Sequence, residues 1–227
     1  MQGEQLPYLL QNDWMITILM VLSFIIMSWS VKNGKTYLVC HLKNFFIHKD
    51  RGSLFDKPTS NGSQYLFVQG VVTCILCGVL IYDEQIRNDA ILIEHINRGM
   101  LLFSYIFSVI GLVILKWLLY TFVNWIFFDK QKNIIWTEAY FDLIILMSFI
   151  LFPVVLFIIY FDINTEISVL ILLLILLISK LLLFYKCIRN FCSHYYGIIH
   201  IILYFCALEL APDLMMREWV AFLNSIL

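Results

Sequence analysis

Six polar side chains lie within stretches of this chain that are otherwise apolar enough to be buried in lipid. They are Lys116, Tyr120, Lys180, His200, Tyr204 and Glu209. Ionisable residues are rare in transmembrane segments, and they usually face the interior of the bundle or a water-filled cavity. Lys116 and Tyr120 are four residues apart, as are His200 and Tyr204, so each pair shares one face of a helix. We take these six residues as the candidates for chemistry inside the membrane.

Glu209 is the member of this set that most needs a partner. Its stem is too short to carry the carboxyl group to the headgroups, so the group must be paired, protonated or close to water. His200 is not the expected partner, because nine helical residues place the two on opposite faces, about 13 Å apart. Three hypotheses stay open: an ion pair between helices, a proton or ion relay, and a contact with another protein. The cations predicted on the same side of the membrane are Arg87, Arg98 and Arg217.

Lys116 and Lys180 have a simpler interpretation. A lysine at the centre of a bilayer costs about 2.5–3.5 kcal/mol, and much less near the end of a helix. A long apolar stem lets each lysine extend its ammonium group to the inner headgroups. Lys116, Tyr120 and Asn124 also repeat every four residues, and their shared face could bind a lipid phosphate or pair with a neighbouring helix.

Two prolines and an aspartate carry expectations about the backbone. Pro153 lies in the middle of an apolar segment and predicts a kink. Pro212 follows Glu209 by three residues and removes a backbone donor, so the backbone there is expected to be irregular and open to water. Asp142 stands near the start of an apolar segment, where it is expected to cap the positive end of a helix dipole.

The composition places these residues in an integral membrane protein. The chain has 227 residues, of which 62% are hydrophobic and 14% charged, whereas soluble domains are about 45–50% apolar and about 25% charged. The net charge of −1 gives no basic excess for nucleic acid. The chain also has no glycine-rich phosphate loop and no internal repeat.

Six apolar segments are long enough to cross a bilayer, which takes about 20 helical residues. Each must be helical, because its backbone groups find no water in the hydrocarbon. We therefore expect a single all-α membrane domain over 1–227, a polytopic bundle of about six transmembrane helices. The spans are roughly 14–31, 64–82, 99–119, 140–161, 167–185 and 195–211.

Lysine and arginine orient this bundle, because cytoplasmic loops are enriched in them. The loop at 32–63 is basic, as are the loops after the third and fifth spans, so both termini are predicted to be outside. Residues 37–46 have apolar residues at helical spacing, which predicts either a helix on the inner leaflet or an amphipathic linker packed on the bundle. The aromatic-rich stretch 117–128 either extends the third helix or turns along the interface. The fold thus includes one or two interfacial helices.

The cysteines and histidines predict no metal site and no cofactor. The cytoplasmic set has no compact zinc spacing; it comprises Cys40, His41, His48, Cys187, Cys192 and His194. Cys74 and Cys77 form a CxxC within a predicted span, where an apolar site opposes the accessible thiolate of a redox motif. We interpret both as small packing residues.

Three stretches resemble an uncharacterised integral-membrane family of Bacteroidota, the domain-of-unknown-function family numbered four-two-seven-one. LYFCALELAP (203–212), with His200 just ahead of it, is similar to that family's Leu-Tyr, Cys-Ala-Leu-Glu and Pro signature. KWLLYTFVNWIFF (116–128) and NFFIHKDRGSLFD (44–56) resemble its lysine and Trp-Ile-Phe run and its cytoplasmic segment. The likeness covers about residues 36–216.

This resemblance implies a multi-pass protein of the inner membrane in a Gram-negative cell envelope, and it supplies no activity. It directs attention to Lys116, His200, Glu209 and Pro212. Asp213 departs from the pattern, since an apolar residue is expected after the proline. Whether the sixth helix continues into lipid beyond Pro212 is therefore open.

The sequence favours a non-enzymatic envelope scaffold or assembly subunit that binds other membrane proteins or its own copies in the bilayer. The alternative is a small proton-coupled transporter or lipid-handling permease that uses Glu209, with Lys116, Lys180 and Tyr120 meeting an anionic headgroup. An intramembrane enzyme is disfavoured, because Glu209 has no acidic partner in a predicted span. Nothing in the sequence indicates a nucleic-acid partner.

Overall fold

The computed structural model describes seven parts of the chain: residue 10 and the ranges 13–46, 62–88, 98–127, 130–161, 163–191 and 203–226. The regular structure in these ranges is helical, so the predicted all-α fold class is confirmed. The α-helices are α1 (Trp14–Phe46), α2 (Gly62–Asn88), α3 (Arg98–Phe127), α4 (Lys130–Tyr160), α5 (Thr165–Phe191) and α6 (Ala211–Ile226). A π-helical turn, Cys206–Leu210, leads directly into α6.

Five of these helices are long and apolar enough to cross a membrane, and they correspond to the first five predicted spans. The candidate spans are Trp14–Thr36, Gln64–Arg87, Arg98–Ile126, Trp136–Tyr160 and Thr165–Ile188. Residues 195–202 of the sixth predicted span, 195–211, lie outside the described residues. The protein is therefore a multi-pass membrane protein, and the side on which each terminus lies stays a prediction.

All five spanning helices extend beyond their predicted spans, and α1, α3 and α4 extend the furthest. The amphipathic segment 37–46 continues α1 instead of forming a separate helix, and the aromatic stretch continues α3 to Phe127. Helix α4 begins at Lys130, because residues 130–139 contain no glycine or proline to interrupt it. Asp142 consequently lies within α4 and is buried, so the prediction that it caps the helix was wrong. Pro153 lies on the exposed side of α4.

Helices α2 and α4 are the most buried of the spans. Helix α2 packs against α1, α3 and α4. A Cβ atom added at Gly78 would lie 2.9 Å from the Cα atom of Ile106, so α2 and α3 meet backbone to backbone at this point. Gln69 donates a 2.6 Å hydrogen bond to Ser148 and thereby joins α2 to α4.

The outer surface of the bundle is strongly apolar. Helix α5 exposes a row of long aliphatic side chains; these are Leu170, Leu173, Leu174, Leu176, Leu177, Ile178 and Leu181. A water-soluble protein rarely exposes a contiguous apolar patch of this extent. The surface suits a hydrocarbon solvent, as the composition predicts.

Helix α6 runs antiparallel to α3 along most of its length. Three hydrogen bonds join α3 to residues 203–226 at successive levels, one from just before the π-helical turn and two from α6. They are Tyr204 to Asn124 at 2.6 Å, Trp219 to Ser108 at 3.0 Å, and Tyr105 to Asn224 at 2.6 Å. Residues 203–226 thus cover about 36 Å of helix beside a spanning helix. Asp213 and Trp219 contact α3 at Lys116 and Ser108, so Arg217 and Glu218 lie alongside the middle of α3.

Candidate functional site

The Glu209 carboxylate lies at the centre of a polar site between three helices. It accepts a hydrogen bond from Lys116 Nζ at 2.8 Å and another from the Tyr120 hydroxyl at 2.7 Å. Lys180 Nζ of α5 also donates to it. Residues from α3, α5 and the π-helical turn therefore converge on one carboxyl group.

Asp213 completes the arrangement from the first turn of α6. Its carboxylate oxygens lie 2.6 Å from Lys116 Nζ and 2.6 Å from Lys180 Nζ. Each lysine therefore bridges both acids, and two ammonium groups offset two carboxylates. We call the five residues Lys116, Tyr120, Lys180, Glu209 and Asp213 the polar cluster.

Burial differs across the polar cluster. The side chains of Glu209 and Lys116 are 1% and 6% exposed, whereas those of Lys180 and Asp213 are 24% and 36% exposed. The cluster is thus closed on the α3 side and partly open where α5 faces α6. A group taken out of water in this way is stable only when its hydrogen-bonding capacity is satisfied by partners.

The local backbone explains how Glu209 reaches α3. The amide of Ala211 bonds to the carbonyl of Cys206, which is the wide i to i+5 pattern of a π-helix. Pro212 follows directly; it has no amide to donate, and its ring opposes a regular α-turn. The irregular backbone expected near Pro212 is therefore present as this turn, which buries the neighbouring residues Leu208 and Glu209 together.

An aromatic and amide layer lies next to the polar cluster, toward the end of α3. The Tyr120 ring packs against Trp136, Tyr140 and Tyr204 at centroid distances of 5.2, 5.6 and 6.0 Å. The Tyr204 hydroxyl donates to Asn124. This layer fixes the Tyr120 ring, so its hydroxyl is held toward Glu209.

The structure brings four of the six candidate residues into direct contact: Lys116, Tyr120, Lys180 and Glu209. Tyr204 belongs to the adjoining layer, and His200 lies outside the described residues. Lys116 and Lys180 do not extend to the headgroups, so that interpretation was wrong. The physical reason is that two carboxylates lie within reach at the same depth.

The partner of Glu209 also differs from the cations considered first. Arg87 instead pairs with Asp83 at 2.8 Å and donates to the Ile163 carbonyl at 2.9 Å. The face of Lys116, Tyr120 and Asn124 pairs with the helical segment that carries Tyr204 and Glu209, which is one of the two alternatives predicted for it. Asp213 was the residue missed, although its i, i+4 spacing from Glu209 was a readable signal that both acids share a face.

The chemistry available to the cluster is charge pairing and hydrogen bonding. Among the described residues, no group of histidines, cysteines and acids could hold a metal ion. Of the six cysteines and histidines on the predicted cytoplasmic side, only Cys187 has a described side chain. Cys74 and Cys187 are buried and Cys77 is half-buried, and these three cysteines are not in disulfides.

The comparisons with known proteins give one match. No curated protein and no solved structure matches the chain. The DUF4271 family, described as a domain of unknown function, matches residues 16–220. This match covers the first candidate membrane helix from Ile16 onward, the other four completely, and every residue of the polar cluster. The chain therefore belongs to the DUF4271 family, as the resemblance of its three motifs predicted.

Proposed function

We propose that this protein is a non-enzymatic assembly subunit that binds another protein chain within the inner membrane of a Gram-negative envelope. The observation that carries the proposal is a charged pair, Arg217 and Glu218, on the exposed surface of α6.

The depth follows from the contacts of α6 with α3. Asp213 bonds to Lys116 on one side of the pair, and Trp219 bonds to Ser108 on the other. Both partners lie well inside the candidate span Arg98–Ile126. Arg217 and Glu218 are therefore level with the middle of that span.

Charged side chains at this depth need polar partners, because lipid supplies none. A charged side chain at the centre of a bilayer costs about 2.5–3.5 kcal/mol. Within the described part of the chain, neither Arg217 nor Glu218 forms an ion pair. A glutamate stem is too short to bring its carboxylate to the headgroups. A protein surface against α6 supplies the polar partners that lipid does not.

The polar cluster supports this role because it fixes α6 on the bundle. Lys116 from α3 and Lys180 from α5 each bridge Glu209 and Asp213. Each of the four charged groups therefore has two opposite partners. A closed arrangement of this kind positions a helix, whereas a relay needs a group that is left to exchange its proton.

The proposal can be tested with a photoreactive amino acid at Leu214, which lies beside the charged pair. Leu170 of α5 is the matched control, because both side chains are 64% exposed and only Leu170 belongs to the aliphatic row of α5. After illumination of intact membranes at native expression level, we expect protein adducts from position 214 and not from position 170. No protein adduct from position 214 would contradict the proposal.

A second candidate function, a proton-coupled carrier, is favoured by one observation: the cluster is partly open at Lys180 and Asp213. On this hypothesis, purified protein in liposomes carries protons, and Glu209→Gln abolishes the flux without unfolding the protein. Absence of flux in the unaltered protein would eliminate this candidate.

A further inference from the structure

We infer that the chain bound to α6 is a second copy of this protein, with the two α6 helices side by side about a twofold axis along the membrane normal. The inference rests on the proposed function, because it names the partner of the same surface. Three features carry it: the spacing of the exposed residues, their size and the order of the two charges.

Of the residues of α6 whose side chains the structure describes, eight are exposed, and four of these follow a heptad spacing. Ala211, Leu214, Glu218 and Ala221 are all exposed, and the steps between them are three, four and three residues. Apolar and small residues at this spacing form the seam along which two helices pack in a left-handed pair. The stripe points away from α3, since Glu209, Pro212 and Val220 are the buried positions.

The size of these residues suits close contact between helices. Two of the four are alanines, and small residues let helix backbones approach in a membrane, where packing rather than the hydrophobic effect drives association. Leu214 supplies the one large apolar side chain of the stripe. The stripe alone would not identify a partner, but the charge of Glu218 within it and the charge of Arg217 beside it do.

The order of the charges makes the surface complementary to itself. Two copies inserted in the same direction place equal residue numbers at equal depth, and Arg217 and Glu218 differ by only about 1.5 Å along the axis. Glu218 lies on the seam and Arg217 flanks it, so the two Glu218 carboxylates approach each other and the arginine of each copy reaches across to the glutamate of the other. A twofold interface therefore forms two identical ion pairs from one sequence.

Disulfide trapping tests the geometry. Leu214→Cys places a thiol on the twofold seam, where mild oxidation in membranes is expected to give a covalent dimer. Leu173→Cys, on the exposed face of α5, is the matched control and should stay monomeric, as should the unaltered chain with its native cysteines. A dimer equally strong from position 173, or none from position 214, would overturn the inference.

Charge reversal tests the pairing. Arg217→Glu alone and Glu218→Arg alone each bring like charges together, so the trapped dimer is expected to fall about tenfold. The double variant R217E/E218R restores both pairs and should restore the dimer. The two single variants and the double variant should each unfold at the same temperature as the unaltered monomer, because these side chains are exposed. Equal trapping in all four proteins would overturn the ion pairs.

The two proposals fail in different ways. A photo-adduct from position 214 with a different protein, together with no disulfide between copies, would overturn the second copy as partner and keep the assembly function. No protein adduct of any kind would overturn both. Native mass spectrometry from mild detergent identifies which chain is attached.

Discussion

At the scale of single residues, the polar cluster balances a large desolvation cost against charge pairing. Two lysines and two acids are removed from bulk water, and each is stable there only because opposite charges surround it. Removing one member of a buried ion pair typically costs about 3–5 kcal/mol, because the remaining charge stays buried without a partner. Glu209 is the most buried member and contacts three donors, so it should matter most.

Glu209→Gln is expected to lower the unfolding temperature strongly. An amide keeps the shape of the side chain but leaves Lys116 and Lys180 with one carboxylate between them. The measurement is thermal unfolding in detergent, followed with a thiol-reactive dye that reports exposure of the buried cysteines Cys74 and Cys187.

The control for this change is Glu166→Gln, which makes the same substitution at an exposed position of α5. Surface substitutions of this type usually change the free energy of unfolding by less than about 0.5 kcal/mol. Equal unfolding temperatures for the two variants would refute a stabilising role of Glu209.

Tyr120→Phe is expected to destabilise the protein less than Glu209→Gln. The ring keeps its contacts with Trp136 and Tyr140, and only the hydroxyl bond to Glu209 is lost. A hydrogen bond to a charged group contributes about 1.5–3 kcal/mol. The same dye assay measures the shift in unfolding temperature.

Tyr140→Phe removes the same atom from a neighbouring ring, and no hydrogen bond of the Tyr140 hydroxyl is found among the described residues. It should therefore shift the unfolding temperature less than Tyr120→Phe. The reverse order would show that the Tyr120 hydroxyl does not stabilise Glu209.

At the scale of helices, the position of α3 decides whether the cluster forms. Helix α3 carries Lys116 and Tyr120, and it lies against α2 at Gly78. A side chain at this glycine would meet the backbone of Ile106, which cannot move away as the end of a flexible side chain does. The contact between α2 and α3 at Gly78 therefore fixes the position of α3, and with it the position of Lys116 and Tyr120 in the polar cluster.

Gly78→Ala is expected to destabilise the protein by about 1–3 kcal/mol, the usual cost of overpacking. The added Cβ would lie 2.5 Å from Ile106 Cγ1 and 2.9 Å from Ile106 Cα, so the two helices must separate. Thermal unfolding of the purified variant measures this loss.

Gly111→Ala provides the contrast within α3. No atom lies within 4 Å of a Cβ built at Gly111, and alanine is a better helix former than glycine. Its unfolding temperature should equal or exceed that of the unaltered protein. A larger loss at Gly111 than at Gly78 would be inconsistent with the close approach of α2 and α3.

At the scale of the whole molecule, the antiparallel course of α6 beside α3 determines on which side of the bundle the end of α6 lies. Asn224 near the end of α6 bonds to Tyr105 and Gln85, close to the start of α3 and the end of α2. The C-terminal end therefore lies on the same side of the bundle as the start of α3.

Reporter fusions test the predicted orientation of this arrangement. Alkaline phosphatase, which is active only outside the cytoplasm, should be active when fused after residue 227 and inactive when fused after residue 129. Green fluorescent protein should give the opposite pattern. A fluorescent fusion after residue 227 would show that α6 does not complete a crossing in the predicted direction.

The sequence alone determined that this protein lies in a lipid bilayer, and it determined the location of most of its helices. Long apolar runs have no alternative to helix in a bilayer, so five spans were predictable. Lys116 and Glu209 also stood out, because an ionisable group in such a run is costly wherever it points. Helix ends were less predictable, because polar flanks such as 37–46 continue a helix when neither glycine nor proline stops it.

Only the tertiary structure decided which of these groups meet. A single helix contains no information about its neighbours, so Lys116 and Lys180 had a plausible route to the headgroups until two carboxylates were found at their depth. The π-helical turn before Pro212 changes the direction in which the Glu209 side chain points. A count of 100° per residue assumes a regular α-helix and therefore misses this change. The level of α6 depended on its contacts with α3, and those contacts placed Arg217 and Glu218 beside the middle of a spanning helix. Pairing between distant segments depends on three-dimensional proximity, and sequence spacing reports it only within one helix.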